Sequence, residues 1–170
     1  MKNFLAGLFL GAVTLFFGTQ GYLKLGLVDF RADTPMPRWV ASLLYTGIHA
    51  AVRRRVSHEE NPSPAGDDTL IAGGKLYLND CVGCHGEPGK SPSELGLTFY
   101  PPAPQFLRSG TDYSVAEVFW IAKHGIRRTG MAAQASSYTD QQLWTLATFI
   151  TRMRNLPPNV AKAIEQNPAN

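Results

Sequence analysis

Cys81-Val82-Gly83-Cys84-His85 brings together the residues of this chain best suited to chemistry. Two cysteines at this spacing can both reach the vinyl groups of one haem and form thioethers, and the adjoining histidine then supplies an axial nitrogen to the iron. Two other chemistries compete for the pair. A redox-active dithiol of the thioredoxin kind belongs beside a βαβ pattern, and no strand alternation of useful length is present. A zinc site needs two further ligands, and His124 with one acidic residue makes a poor set. The chain has only these two cysteines, which excludes a multi-disulfide framework and a four-cysteine zinc or iron–sulfur centre built from this chain alone.

An iron held by His85 needs a ligand on its other face. Of the four methionines, Met1 is terminal, Met36 lies far from the motif, and Met153 falls in a helical pattern where methionine serves as core. Met131 stands in a glycine-containing loop between two helical patterns and is the candidate sixth ligand; His124, at a helix end, is its rival. A His/Met pair leaves no coordination place for a substrate, and the thioether raises the reduction potential. No paired carboxylates or nucleophile–base set accompanies the motif, so electron transfer is expected rather than catalysis. Arg127 and Arg128 are either partners for haem propionates or solvated loop residues.

The elements that must position these residues are helical. Asp68 to Val82 forms one helical pattern that ends at the motif. Residues 87–109, rich in proline, glycine and serine, are expected as loop, and long loops in a small domain usually wrap something. Ser114 with Glu117 is a capping box opening SVAEVFWIAKH, which Gly125 suits as a stop. Thr139 with Gln142 is a second, opening TDQQLWTLATFITRMRNL, which Pro157-Pro158 ends. The tail beyond Leu156 carries no clear signal.

Gly73, Tyr77 and the cysteine motif together read G-x-x-x-Y-x-x-x-C-x-x-C-H, which resembles the first helix of class I bacterial cytochromes c. The resemblance covers about Leu70 to Leu156. It implies that Gly73 and Tyr77 pack against an aromatic of the last helix, the place that Trp144 resembles. FYPPAPQFL, residues 99–107, is similar to the family's proline-rich loop, which offers a backbone carbonyl to the ligand histidine. FWIAKHGIRRTGM, residues 119–131, is similar to the approach to the axial methionine. The implied fold is all-α: a cytochrome c-like small helical domain wrapped around one covalently attached haem c, with Cys81, Cys84, His85 and Met131 as its binding residues. Leu76, Phe99, Phe106, Phe119, Trp120 and Met131 would bury it. The family commonly has proline after the methionine, where this chain has Ala132-Ala133. A labile Met131 bond would make a haem-based gas-binding or sensor module instead.

Ahead of this domain, Asn3 to Phe17 is uncharged, and the apolar stretch extends to Leu23 before Lys24. About 20 residues are needed to span a bilayer as a helix. Residues 1–24 therefore read as a transmembrane anchor or as a signal peptide, although the small-x-small sites after Phe17 are poor. In 25–56, WVASLLYTGIHAAVRRR is an amphipathic helix closed by Arg53-Arg54-Arg55; it lies either at the membrane interface or against the domain or a partner. His49 and His58 are assigned no role. Residues 57–67 form a polar linker, 68–158 the haem domain, and 159–170 a tail.

Met1 to Ala65 holds seven of the basic and four of the acidic residues, and nine of each follow from Gly66. A neutral domain without a basic stripe gives no reason to expect nucleic acid. The expected partners are redox proteins or complex subunits in the membrane, with lipid around the N-terminal segment. The expected setting is a bacterial inner membrane with the haem domain facing the periplasm, in a respiratory electron-transport chain.

Overall fold

The structure is a computed structural model that describes residues 1–31, 33–56, 60–87, 90 and 92–166. His58, part of the expected linker, and residues 167–170 of the tail lie outside the described residues. Contacts divide the chain into two compact units, Met1–Thr34 and Pro35–Asn170.

The first unit is essentially one helix, α1 (Lys2–Lys24). None of its residues is buried, and Phe4, Leu8, Phe9, Leu15 and Phe17 are exposed. At ~1.5 Å per residue, its 23 residues exceed the ~30 Å of a bilayer's hydrocarbon core. It is the one helix among the described residues long and apolar enough to cross a membrane, with a mean hydropathy of 1.5 over its best window.

The second unit is all-helical among the described residues. Its elements are α2 (Arg38–Arg55), α3 (Asp67–Asp80), α4 (Val82–His85), α5 (Glu94–Leu97), α6 (Phe106–Ser109), α7 (Val115–His124), α8 (Asp140–Arg152), a 3-10 turn (Met153–Asn155) and α9 (Pro158–Gln166). The core is built on α8, which buries Leu143, Leu146, Ala147, Phe149 and Ile150 between α3 and α7. Both expected capping boxes are present. Ser114 Oγ accepts from Glu117 N while Glu117 Oε2 accepts from Ser114 N, and Thr139 and Gln142 reciprocate in the same way. Each box satisfies two amide donors that a helix start leaves orphaned.

α3 and α8 meet at Gly73, where the backbones approach so closely that a Cβ would lie 2.5 Å from Phe149 Cβ and 2.6 Å from the Thr145 carbonyl oxygen. Tyr77, one turn on, lies against Phe149 with ring centroids 5.7 Å apart. The aromatic partner of α3 is therefore Phe149, not Trp144. The two are five residues apart, about 140° around a helix, so they occupy different faces of α8. Trp144 turns to α7, where it stacks on Phe119 at 4.1 Å and 5°. Phe119 is itself buried in the core.

Two segments differ from the sequence expectation, and a third resolves an open one. Of the two places expected for α2, the structure shows packing on the domain: Val52 is buried, Tyr45 Oη donates to the Pro102 carbonyl at 2.9 Å, His49 stacks on Tyr113 at 4.3 Å, and Arg53 pairs with Glu117 at 3.4 Å. Its opposite face leaves Trp39 and Leu43 exposed. The described part of the expected linker is docked on α8, because short polar side chains find partners there: Asn61 Nδ2 donates to Thr148 Oγ1 at 2.9 Å, and Gln141 Nε2 to Ser63 Oγ at 2.7 Å. The tail forms α9, opened by Pro158, with Val160 and Ile164 buried against α3. Proline ends a preceding helix but suits the first position of a new one, since its missing amide donor would be orphaned there anyway.

Candidate haem site

Cys81 caps α3 and opens the single turn α4, with its amide donating to the Tyr77 carbonyl at 2.9 Å and its own carbonyl accepting from His85 N at 2.9 Å. The turn stops at Gly86, whose φ of 86° is costly for any residue with a Cβ. Tyr77, fully buried, fixes that stop by donating its hydroxyl to the Gly86 carbonyl at 2.6 Å. Sequence alone thus places both thiols and the imidazole within one and a half turns, and the Tyr77–Gly86 bond ties them to the core.

The His85 ring is held from its far side. Its Nδ1 lies 2.9 Å from the Pro104 carbonyl oxygen, and Phe106 stacks on the ring at 4.6 Å and 14°. A carbonyl only accepts, so Nδ1 carries the proton and Nε2 keeps its lone pair, the arrangement that ligates iron. Burial lowers the His85 pKa, against the opposing pull of the Pro104 bond, and so favours the neutral imidazole that binds metal. The loop that supplies Pro104 is itself clamped by Gln105. Its Nε2 donates to the Cys84 carbonyl at 2.9 Å and to Ala103 O at 3.1 Å, while its Oε1 accepts from Ser93 N at 2.9 Å. Ser93 Oγ in turn donates to the Gly83 carbonyl. Gly96 of α5 comes so close to the Cys84 carbonyl that any Cβ would overlap it. Gln105 and Ser93 were not evident in the sequence, because a polar residue in a proline-rich loop announces no partner.

Cys81 and Cys84 are half-buried free thiols. Burial above all, then the Asp80 carboxylate and Cys84, pushes the Cys81 thiol up to about 12. A dithiol oxidoreductase needs the opposite, a thiol lowered towards neutrality. No group of three or more histidine, cysteine or acidic side chains able to hold a metal ion occurs among the described residues, which removes support for the zinc reading. A thiol pair beside an imidazole with a free Nε2, with the Cys81 thiol held protonated, fits a haem attached through thioethers.

Met131 sits in a braced loop. Ile126 N donates to the Met131 carbonyl at 2.9 Å, Met131 N donates to Thr129 Oγ1 at 3.1 Å, and Gln134 N donates to the Ala122 carbonyl at 2.9 Å. Gly125 turns the chain out of α7 at φ 65°, and Arg128 adopts the left-handed region at φ 64° without being glycine. Next to Met131, Gly130 lies on the Phe99 ring, where a Cβ would come within 2.7 Å. That contact brings the methionine loop to the segment that supports His85. His124 is exposed at the end of α7 beside Trp120, and Met153 is buried in the core. Arg127 and Arg128 are both exposed. A surface cavity of about 510 Å³ lies elsewhere, on α2 between Ser42 and Arg53.

No solved structure was found to match the chain. Residues 68–150 match the family model described as cytochrome C oxidase, cbb3-type, subunit III, a span that takes in the thiols, His85, the proline-rich loop and Met131. An all-helical unit with this motif and this match is a class I c-type cytochrome domain, a family defined by covalently bound haem c and haem-based electron transfer.

Proposed function

We propose that this chain is a membrane-anchored cytochrome carrying a single haem c, attached at Cys81 and Cys84 and ligated by His85 and Met131. The observation that carries the reading is the His85–Pro104 bond, which leaves the imidazole's other nitrogen free beside two free thiols. Haem bound there supplies a one-electron iron couple. The chain's own residues do the rest. His85 is held neutral and oriented, Gln105 and Ser93 lock the motif's carbonyls, and the loop of Met131 is tied by its own amide and carbonyl. Backbone bracing around Met131 takes over the role of the proline this chain lacks, which favours a stable sixth ligand over a gas-binding module.

The helix Lys2–Lys24 supports anchoring. Because c-type haem is attached outside the cytoplasm, the haem domain would face the periplasm of a bacterial inner membrane. Confinement to two dimensions raises the effective concentration near membrane partners. The matching family is named for a subunit of an oxidase, which supports a place as a subunit of a larger membrane redox complex, passing single electrons within a respiratory chain. The experiment is purification from native membranes in mild detergent. The expected result is an intact mass equal to the full chain plus one haem, together with co-purifying redox subunits. A chain without haem, or one cleaved near residue 20 and recovered from the soluble fraction, would overturn it.

A further inference from the structure

α2 touches the haem domain through side chains four residues apart, and the first of them reaches the proximal loop. Tyr45 Oη donates to the Pro102 carbonyl at 2.9 Å. Two residues on, the Pro104 carbonyl accepts from His85 Nδ1 at 2.9 Å. The intervening chain has little freedom, because Pro101, Pro102 and Pro104 each fix φ. Holding the Pro102 carbonyl therefore limits where the Pro104 carbonyl can point. Gln105 clamps the other end of the same segment onto Cys84. His49 and Arg53, further along α2, meet Tyr113 and Glu117, which lie beyond the loop at the start of α7. Only Tyr45 among these three contacts bears on the ligand-supporting carbonyl.

We propose that Tyr45 is a positioning residue for the proximal ligand: through Pro102 it sets the hydrogen bond between the Pro104 carbonyl and His85, and so tunes the haem potential. The proposal rests on His85 being the iron ligand. A strong Nδ1–H···O bond makes the imidazole a better electron donor, which stabilises ferric iron and lowers the potential. Loosening the bond raises it. The helix that follows the N-terminal anchor segment in sequence thereby has a route to the redox centre.

The test uses the full-length, haem-loaded chain in detergent, comparing wild type, Tyr45→Phe and His49→Ala. Tyr45→Phe keeps the ring and removes the hydroxyl alone; His49→Ala loosens α2 without touching the loop. Haem content is checked first by intact mass. Expected for Tyr45→Phe are a potential shifted upwards and at least a several-fold faster exchange of the His85 Nδ1 proton with solvent, read by NMR of the ferrous protein. His49→Ala is expected to lower the melting temperature and to leave both readouts at the wild-type value. An unchanged potential and exchange rate in Tyr45→Phe would overturn the proposal, as would equal shifts in both variants. A wild-type chain that carries no haem overturns the haem reading and takes this one with it, and the mass measurement separates that outcome from the others.

Discussion

Gly73→Ala is the sharpest single test of how α3 and α8 position the thiols. An added Cβ would meet Phe149 Cβ at 2.5 Å and the Thr145 carbonyl oxygen at 2.6 Å, where ordinary contact begins at 3.4 Å. One helix must therefore retreat by roughly 0.8 Å, since a backbone oxygen cannot rotate away. Overpacking of this kind costs ~1–3 kcal/mol, and a rigid backbone partner places it at the upper end. Alanine's better helix propensity returns ~1 kcal/mol. The net loss is about 2 kcal/mol, a fall in melting temperature on the order of 10 °C for a domain of this size. Two variants calibrate it. At Gly74 the added Cβ meets only side-chain atoms, Ile164 Cδ1 at 2.5 Å, Ile164 Cγ1 at 2.9 Å and Phe149 Cε2 at 3.2 Å, which can shift more readily than a backbone carbonyl, so Gly74→Ala should cost less than Gly73→Ala. Gly47, inside α2, has nothing within 4 Å, and Gly47→Ala should be neutral or stabilising by up to ~1 kcal/mol. Guanidinium unfolding followed by far-ultraviolet circular dichroism ranks the three. A Gly73→Ala chain as stable as wild type, or more stable than Gly74→Ala, would refute the close approach.

Tyr77→Phe removes a buried hydroxyl that donates to the Gly86 carbonyl at 2.6 Å, and equilibrium unfolding should show a loss of ~1–2 kcal/mol. Burial first, then the hydrogen bond to Asp80, pushes the Tyr138 phenol up to about 12. Since a free phenol ionises near pH ~10, the folded state holds this proton more tightly. The stability it contributes is complete below pH ~10 and is lost as pH rises from there through about 12. Stability measured across that window should fall less steeply in Tyr138→Phe, and identical profiles would remove Tyr138 from the account.

Local signals were legible where one stretch of chain carried the whole interaction. Both capping boxes, the stop at Gly125 and the extent of α2 follow from residues three or four apart, and the structure reproduces them. The proximal carbonyl was legible only through the family resemblance of residues 99–107. Which proline would supply it depends on how the loop folds back, and the structure selects Pro104. Trp144 and Phe149 are both aromatic on one helix, so choosing the partner of Tyr77 required the rotation of α8 about its axis. α9 was missed because Pro157-Pro158 reads equally as an end and as a beginning. The docking of α2 was open for a similar reason: an amphipathic helix shows that it covers something but not what.

A haem held between His85 and Met131 is tested by the absorption spectrum of the oxidised Met131→Ala variant. Wild type should show the weak long-wavelength band of sulfur-to-iron charge transfer, and the reduced protein should not take up carbon monoxide. In Met131→Ala that band should vanish and carbon monoxide should bind, with the haem still covalently attached at Cys81 and Cys84. A variant that keeps the band and the six-coordinate spectrum would contradict the assignment of Met131 and the electron-transfer reading built on it.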